Sequence, residues 1–234
     1  MKALLLAAGI GSRLRPITNY VPKCLVPING KPLLQYWLEN LFNAGIQEFL
    51  INTNYLSEQV EDFVSKSPFK NFITLVYEEE LLNTGGTLLK NRDFFKDESF
   101  MLVHADNLSF CDFSSFMNSH KDRNENAEIT MMTFLTDDPK SCGIVEIDDR
   151  NLVRNFYEKI ERPPSNLANA AVYICEKSIF DFLETFEKDN IDFSVEVIPN
   201  YIGKINTFLN DGYHRDIGTI LSYALAQIEV KKFI

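Results

Sequence analysis

The chain has 234 residues, 45% of them hydrophobic and 12% aromatic, which is enough to bury the core of one large α/β domain. Its formal net charge of -10 excludes nucleic acid as the main partner, because no basic field can gather phosphates over a wide surface. No apolar run approaches the roughly 20 residues of a membrane span, and the N-terminus does not read as a signal peptide. The four cysteines form no Cys-x-x-Cys pair, which predicts reduced thiols in a cytoplasmic protein. The lack of a long apolar run predicts no membrane contact.

The first half of the chain alternates short apolar runs with amphipathic stretches. Apolar residues recur at helical spacing between Pro32 and Ala44, and Gly45 is a stop signal. A second helix is expected to begin with Ser57 as its cap. In chain order we predict a strand at 2–7, a helix at 32–44, a strand at 48–53, a helix at 57–66, a strand at 72–77, a helix at 86–94 and a strand at 100–104.

The second half is richer in β structure, with short turns that favour antiparallel pairs. Strands are predicted at 127–135, 143–147, 152–157, 169–175 and 204–209, and helices at 178–188 and 219–231. No linker or repeat separates the halves. The pattern therefore predicts one α/β domain over residues 1–234, with a doubly wound, mostly parallel, Rossmann-like sheet followed by a β-rich second half.

The N-terminal segment carries cations without acids. No aspartate or glutamate precedes Glu39, although the whole chain is acidic. The first strand runs into a Gly-x-Gly turn, Gly9 to Gly11, whose backbone N–H groups can point at phosphate oxygens. Nearby cations can neutralise the remaining charge. They are Arg13, Arg15 and Lys23. This segment predicts a phosphate-handling enzyme.

Two other phosphate motifs fit poorly. A dinucleotide-binding fingerprint needs a third glycine three residues after Gly11, and that position holds Leu14. A Walker A loop needs Gly-Lys-Ser or Gly-Lys-Thr, which the sequence lacks.

Two aspartates stand where hard ligands are expected. Asp106 follows the apolar strand at 100–104, and the carboxyl ends of such strands are where open α/β sheets bind ligands. Asp216 precedes the last predicted helix. Two carboxylates facing phosphate suit Mg²⁺. The residues alone leave open that each is a turn or capping aspartate; we read the neighbouring His104 and His214 as polar side chains rather than bases.

At this point the sequence resembles a known family. The segment from Leu6 to Pro32 contains L-A-A-G-x-G-S-R-L-R-P-x-T followed by P-K-x-L-x-P-x-x-x-K-P, which looks like the signature of the sugar-1-phosphate nucleotidyltransferases (nucleoside-diphosphate-sugar pyrophosphorylases). Similar elements follow in the family's order through nearly the whole chain. They are LLNTGGTL at 81–88, HADN at 104–107, CGIVEID at 142–148, YEKIERP at 157–163, NAAVY at 169–173 and HRDIGT at 214–219. The resemblance is to the short form, without a C-terminal β-helix.

The resemblance implies a transferase of EC 2.7.7 type that makes a nucleoside-diphosphate sugar and pyrophosphate from a nucleoside triphosphate and a hexose-type sugar 1-phosphate, as mannose-1-phosphate guanylyltransferases do. It implies catalytic roles for Arg13 and Lys23, and Mg²⁺ held by Asp106 and Asp216. The residues implied for nucleotide binding are Leu6, Ala7, Ala8, Gly9, Gly11, Glu78, Asn83, Thr84 and Gly85; those implied for the acceptor are Asn107, Gly143, Glu158, Lys159 and Asn169. The nucleotide portion is expected at about 1–110 and the acceptor portion at about 111–234.

Several positions depart from the family pattern. Asn83 stands where the family commonly has glycine, and we expect the turn to survive because asparagine tolerates left-handed backbone. Glu78 occupies a position that is often glutamine. Ala171 replaces the usual glycine and Cys142 the usual tyrosine. The departures at Ala171 and Cys142 leave the identity of the sugar open. The sequence also leaves open the base and whether the chain forms a homo-oligomer.

Two alternatives remain at this level. One is cytidylyl transfer to a non-sugar phosphate, against which Lys159 and the NTGGT loop weigh. The other is a catalytically silent regulatory subunit, against which Arg13, Lys23 and the two aspartates weigh.

Overall fold

The computed structural model describes residues 1–96 and 98–233. Asp97, which the sequence predicts to be a solvated surface charge, lies outside the described part. The chain divides into two compact units. Unit 1 consists of Met1–Leu81, Val103–Phe113 and the last segment from Gly212, and unit 2 of Leu82–Leu102 and Ser114–Asp211. The expected division into portions near residue 110 stays a prediction.

Short strands and helices follow one another along the described residues. The strands are β1 (Ala3–Leu6), β2 (Pro27–Ile28), β3 (Lys31–Pro32), β4 (Phe49–Thr53), β5 (Ile73–Tyr77), β6 (Phe100–His104), β7 (Asn107–Phe110), β8 (Ile129–Leu135), β9 (Gly143–Ile147), β10 (Val153–Glu158), β11 (Leu167–Cys175), β12 (Ile205–Leu209) and β13 (Tyr213–Asp216). The helices are α1 (Leu33–Asn43), α2 (Ser57–Lys66), α3 (Asn83–Lys90), α4 (Arg92–Phe95), α5 (Phe113–Lys121), α6 (Ser178–Glu184) and α7 (Ile220–Glu229).

Unit 1 is built on a parallel sheet in which β4 pairs with β1 on one side and β5 on the other. Leu5 lies opposite Ile51, and Ile51 opposite Leu75, so all three strands end at the same edge. The Ala105 N–H donates to the Leu6 carbonyl at 3.1 Å, which brings the turn after β6 to that edge as well. This is the edge at which α/β sheets place their ligands.

A second element of unit 1 is the antiparallel ribbon of β7 and β13, in which Asp216 pairs with Asn107. A buried apolar cluster packs the N-terminal loop, α1, β7 and α7 of this unit together. Its members are Leu14, Val26, Ile28, Leu33, Tyr36, Leu108, Ile217, Ala226 and Val230. Residues distant in sequence are therefore fixed beside one another by a common core.

Unit 2 contains mainly antiparallel pairs. β9 pairs with β10 and β11, and β8 pairs with β11, while β12 runs parallel to β8. The pairing of β11 with β8 shifts register between Asn169 and Tyr173. Such an irregularity disrupts the ladder between the two strands locally.

The predicted α/β class, with a parallel sheet and a β-rich second half, is confirmed. One cap prediction was wrong: Ser57 is the first helical residue, and the residue before it, Leu56, has φ 52 and no side-chain cap bond. The helix predicted at 86–94 begins at Asn83 and is interrupted at Asn91. Strands β2, β3, β7 and β13 and helix α5 were not predicted. None of the described helices is long and apolar enough to cross a membrane.

Candidate active site

The glycine loop of unit 1 leaves β1 and turns at Gly11. Gly11 has φ 66, and a Cβ there would lie 2.9 Å from the Thr18 methyl and 3.1 Å from Lys23 Cβ, so both backbone and packing require glycine. The Thr18 hydroxyl donates to the Gly11 carbonyl at 2.8 Å. At the start of the loop, the Ala7 N–H donates to Asn52 Oδ1 at 2.8 Å. The loop is thus held at both ends by buried polar side chains.

Lys23 is the centre of an ion cluster in unit 1. Its side chain is only 7% exposed, and Nζ lies 2.7 Å from Asp106 Oδ2 and 3.3 Å from Asp216 Oδ1. Arg13 approaches from the solvent side, with Nη2 4.0 Å from Asp216 Oδ2. The structure therefore brings together the two residues predicted to be catalytic and the two predicted to hold metal.

The charges of this cluster are mutually stabilised. Burial disfavours the charged form of Lys23, but the carboxylates of Asp106 and Asp216 outweigh it and raise the pKa of the ammonium. Burial acts against ionised Asp106 as well, yet the adjacent Lys23 charge holds the pKa of that carboxyl below its ordinary value. Burial lowers the pKa of His214 to about 3, so its imidazole is neutral at physiological pH. Its Nδ1 lies 2.6 Å from the Ser109 hydroxyl.

The donor set fits a divalent metal. Two carboxylates from separate elements converge on one cation, the Lys23 ammonium, and one or two carboxylates with substrate phosphates are what Mg²⁺ prefers. Among the described residues, no group of three or more His, Cys, Asp or Glu side chains forms a complete metal cage. A metal held here would therefore depend on substrate oxygens for the rest of its coordination.

Glu78 is the second polar feature of unit 1. It follows β5, is 2% exposed, and its N–H donates to the Thr53 carbonyl at 2.9 Å. Its own carbonyl accepts from Asn54 Nδ2 at 2.8 Å. Neither carboxylate oxygen has a hydrogen-bond partner among the described residues. A buried acceptor pair without donors is costly, which marks Glu78 as a group that a ligand can satisfy.

The predicted nucleotide residues Asn83, Thr84 and Gly85 lie in unit 2, at the start of α3. Asn83 has φ 58, which confirms that asparagine sustains the left-handed turn. The Thr84 hydroxyl accepts from the Phe193 N–H, and the Gly85 N–H donates to the Ile191 carbonyl, both at 2.8 Å. These groups are engaged within unit 2, and their contact with nucleotide stays a prediction.

The predicted acceptor residues of unit 2 lie on β9, β10 and β11 and just beyond β10. Gly143 pairs with Glu158, and Lys159 Nζ lies 2.7 Å from Glu158 Oε1. Lys159 has φ 50, and its side chain is 60% exposed. Asn169 Nδ2 donates to the Tyr173 hydroxyl at 2.6 Å, and Asn169 Oδ1 accepts from the Ala171 N–H at 2.9 Å.

The remaining predicted residues belong to unit 1. Leu6 ends β1, and Ala7, Ala8 and Gly9 follow it. Asn107 begins β7, is buried, and its carbonyl accepts from Trp37 Nε1 at 2.7 Å. Sequence reasoning missed Thr18 and Asn52, the two side chains that fix the glycine loop. The position of Asn52 near the end of an apolar strand was the available signal.

Comparison with known proteins supplies the family. A profile described as nucleotidyl transferase matches residues 2–232. The chain belongs to this family. It is 31% identical over 222 residues to the mannose-1-phosphate guanylyltransferase of Mycobacterium tuberculosis, covering 93% of this chain and 61% of that one. It is 34% identical over 233 residues to probable mannose-1-phosphate guanylyltransferase 1 of Oryza sativa subsp. japonica, covering 95% and 63%.

The chain spans about 60% of the length of these curated relatives. Solved structures match over a longer share. HddC from Yersinia pseudotuberculosis is similar with a TM-score of 0.83 and 26% identity, covering 100% of this chain and 99% of that one. Its complex with GMP-PN gives 0.82 and 27%, with the same coverage. The resemblance inferred from the glycine-loop signature is thereby confirmed.

Proposed function

We propose that this nucleotidyl transferase transfers a nucleotidyl group from a nucleoside triphosphate to a sugar 1-phosphate. An oxygen of the sugar phosphate attacks the α-phosphorus and forms the new P–O bond. The bond from that phosphorus to the bridging oxygen breaks, and pyrophosphate leaves. The observation that carries the proposal is the buried Lys23 ammonium beside Asp106 and Asp216, with Arg13 on the solvent side.

Each residue of the cluster has a role in this reaction. Arg13 and the Gly9–Gly11 loop bind the β- and γ-phosphates that leave, and Lys23 stabilises negative charge near the α-phosphate. Asp106 and Asp216 would hold Mg²⁺, which would supply positive charge to polarise phosphate oxygens. In unit 2, Lys159 binds the acceptor phosphate and Asn169 the sugar hydroxyls. Nothing in this chemistry needs a covalent intermediate, since positioning and charge supply the rate.

Glu78 supports guanine as the base. A carboxylate only accepts hydrogen bonds, and both oxygens of Glu78 lack a donor among the described residues. Guanine presents two adjacent donors, N1–H and the 2-amino group, and matches such a pair. Uracil and thymine present one donor between two carbonyl oxygens, while adenine and cytosine place an acceptor beside their amino group. The guanylyltransferase names of the relatives and the GMP-PN bound to HddC agree with this choice.

The decisive experiment is a pyrophosphate-release assay with Mg²⁺, five nucleoside triphosphates and a panel of hexose 1-phosphates that includes mannose 1-phosphate. We expect turnover with GTP to exceed that with the other nucleotides. If the folded protein releases pyrophosphate with none of the sugar phosphates in the panel, the result would favour the silent regulatory subunit. Release with phosphocholine and CTP would favour the cytidylyl alternative.

Glu78→Gln tests the base assignment. An amide offers one acceptor and one donor, so its NH₂ opposes one of the guanine donors. We expect kcat/KM for GTP to fall roughly 10- to 100-fold, the scale of one bidentate base contact. Glu79→Gln is the matched control, because Glu79 is the exposed neighbour. An unchanged preference for GTP in Glu78→Gln would refute the assignment.

A further inference from the structure

The cation between Asp106 and Asp216 is part of the protein itself. Lys23 Nζ contacts a carboxylate oxygen of each aspartate, at 2.7 Å and 3.3 Å. A divalent ion that binds both carboxylates must displace the ammonium or share their negative charge with it, even if it takes the other oxygen of each carboxylate. The two modes of binding therefore compete for the same negative charge.

Simultaneous occupancy is unfavourable for electrostatic reasons. A divalent ion on the same carboxylates would lie within a few ångströms of the ammonium, where like charges repel strongly at low effective dielectric. Arg13 adds further positive charge at 4.0 Å from Asp216. The Lys23 side chain is 7% exposed, so bulk water screens its ammonium little, whereas the side chains of Asp106 and Asp216 are 38% and 53% exposed.

The substrate can supply alternative hydrogen-bond acceptors for the Lys23 ammonium. A nucleoside triphosphate brings phosphate oxygens that can accept from the ammonium in place of the carboxylates. Its arrival both supplies metal ligands and removes the competitor. Metal and nucleotide binding are then coupled through one side chain.

We propose that Lys23 acts as an internal counter-cation that suppresses divalent-metal binding in the nucleotide-free protein and exchanges its carboxylate contacts for phosphate when metal and nucleotide arrive together. This rests on the metal role proposed for Asp106 and Asp216. Its consequence is that metal alone binds weakly, so the site is loaded by the metal–nucleotide complex rather than by free ion.

The test is titration of the nucleotide-free protein with Mn²⁺, followed by electron paramagnetic resonance of the free ion. Lys23→Met removes the ammonium and keeps an apolar stem of similar length. We expect it to bind Mn²⁺ at least about tenfold more tightly than wild type, equivalent to about 1.4 kcal/mol. Adding Asp106→Asn to Lys23→Met should abolish the gain.

Lys31→Met is the matched control. It also removes one positive charge from unit 1, but Lys31 pairs with Glu39 at 2.7 Å and contacts neither aspartate. Its Mn²⁺ affinity should equal that of wild type. Lys23→Arg, which keeps the charge, should also remain weak.

Three results would overturn the proposal: equal Mn²⁺ affinity of wild type and a folded Lys23→Met, a gain that survives Asp106→Asn, or tight binding by wild type without nucleotide. Tight Mn²⁺ binding by wild type can be measured without any variant. If Lys23→Met does not fold, Lys23→Gln takes its place. Because no substrate is present, the outcome is separable from the proposed function. If wild type is active but Lys23→Met does not bind Mn²⁺ more tightly, only the proposed exchange of Lys23 contacts is refuted. If Lys23→Met binds Mn²⁺ more tightly but wild type releases no pyrophosphate, only the proposed transfer reaction is refuted.

Discussion

The two units position their predicted functional residues in different ways. In unit 1, Lys23 is fixed by the charges of Asp106 and Asp216, and Arg13 stands near the same pair. In unit 2, strained backbone conformations occur at or near the predicted functional residues. Asn83, Lys159 and Ala171 all have left-handed conformations, with φ of 58, 50 and 54.

The difference indicates which kinds of substitution should affect each unit most. Left-handed backbone costs an L-residue about 1–2 kcal/mol, and such strain is found mainly where function requires a specific geometry. An ion cluster is stabilised by attraction between its opposite charges, and removal of one partner leaves the other without compensation. We therefore expect unit 1 to respond most to charge, and unit 2 to respond to both backbone freedom and side-chain charge.

The largest effect is expected from the aspartates. Asp106→Asn or Asp216→Asn removes one hard ligand and should lower Mg²⁺-dependent pyrophosphate release by roughly 10³-fold, since a bound metal supplies several kcal/mol of charge stabilisation. Because the two act as one unit, the double variant should lose little more than the worse single variant. Losses that multiply, or full activity in EDTA, would contradict a shared metal.

Lys23→Ala comes next. Removal of a preorganised charge should lower kcat by roughly 10²-fold. Lys31→Ala, the control outside the cluster, should stay within a few-fold of wild type. Turnover of Lys23→Ala near the wild-type value, measured on protein whose circular dichroism is unchanged, would show that the buried ammonium is structural.

In unit 2, Lys159→Ala should act on the acceptor. Loss of a charge-assisted hydrogen bond should raise KM for the sugar phosphate roughly tenfold or more and leave KM for the nucleotide nearly unchanged. Lys140→Ala is the control, since Lys140 is an exposed lysine of the same unit that pairs with Glu161. Equal weakening of both substrates by Lys159→Ala would place this residue outside the acceptor site.

The smallest effect is the sharpest test of the comparison. Ala171→Gly relieves a left-handed alanine, a gain of about 1–2 kcal/mol that the flexibility of glycine reduces by about 0.5–1 kcal/mol. We expect the free energy of unfolding to rise by an amount between about 0 and 1.5 kcal/mol. Ala170→Gly, in the same strand without a positive φ, should lower it by about 1 kcal/mol. Urea unfolding of both variants decides, and destabilisation by Ala171→Gly would remove the strain argument.

The same contrast explains what the sequence could predict. Residue type reveals local constraints, so the predictions of Gly45 as a helix stop and Asn83 as a left-handed turn are confirmed. Helix α3 begins at Asn83, three residues before its predicted start, and Gly85 and Gly86 in its first turn lie close to the segment 189–191.

The arrangement of the cluster lay beyond sequence reasoning. The sequence predicted Asp106 and Asp216 at element ends, but the ribbon that joins them consists of two strands of only four residues, at the lower limit for a recognisable periodic pattern. Only this long-range pairing sets Lys23 between the two carboxylates. The partners of a buried charge depend on tertiary packing, which periodicity does not encode.

Unit 1 is assembled from three stretches of chain, and the last of them brings Asp216 and α7. During synthesis, β7 and Asp106 emerge long before their partner strand β13, and unit 2 is made in between. A growing chain therefore carries Arg13, Lys23 and Asp106 without the second carboxylate. Unit 1 can reach its final form only after β13 has been made, so a product truncated before Asp216 would lack the second carboxylate that contacts Lys23.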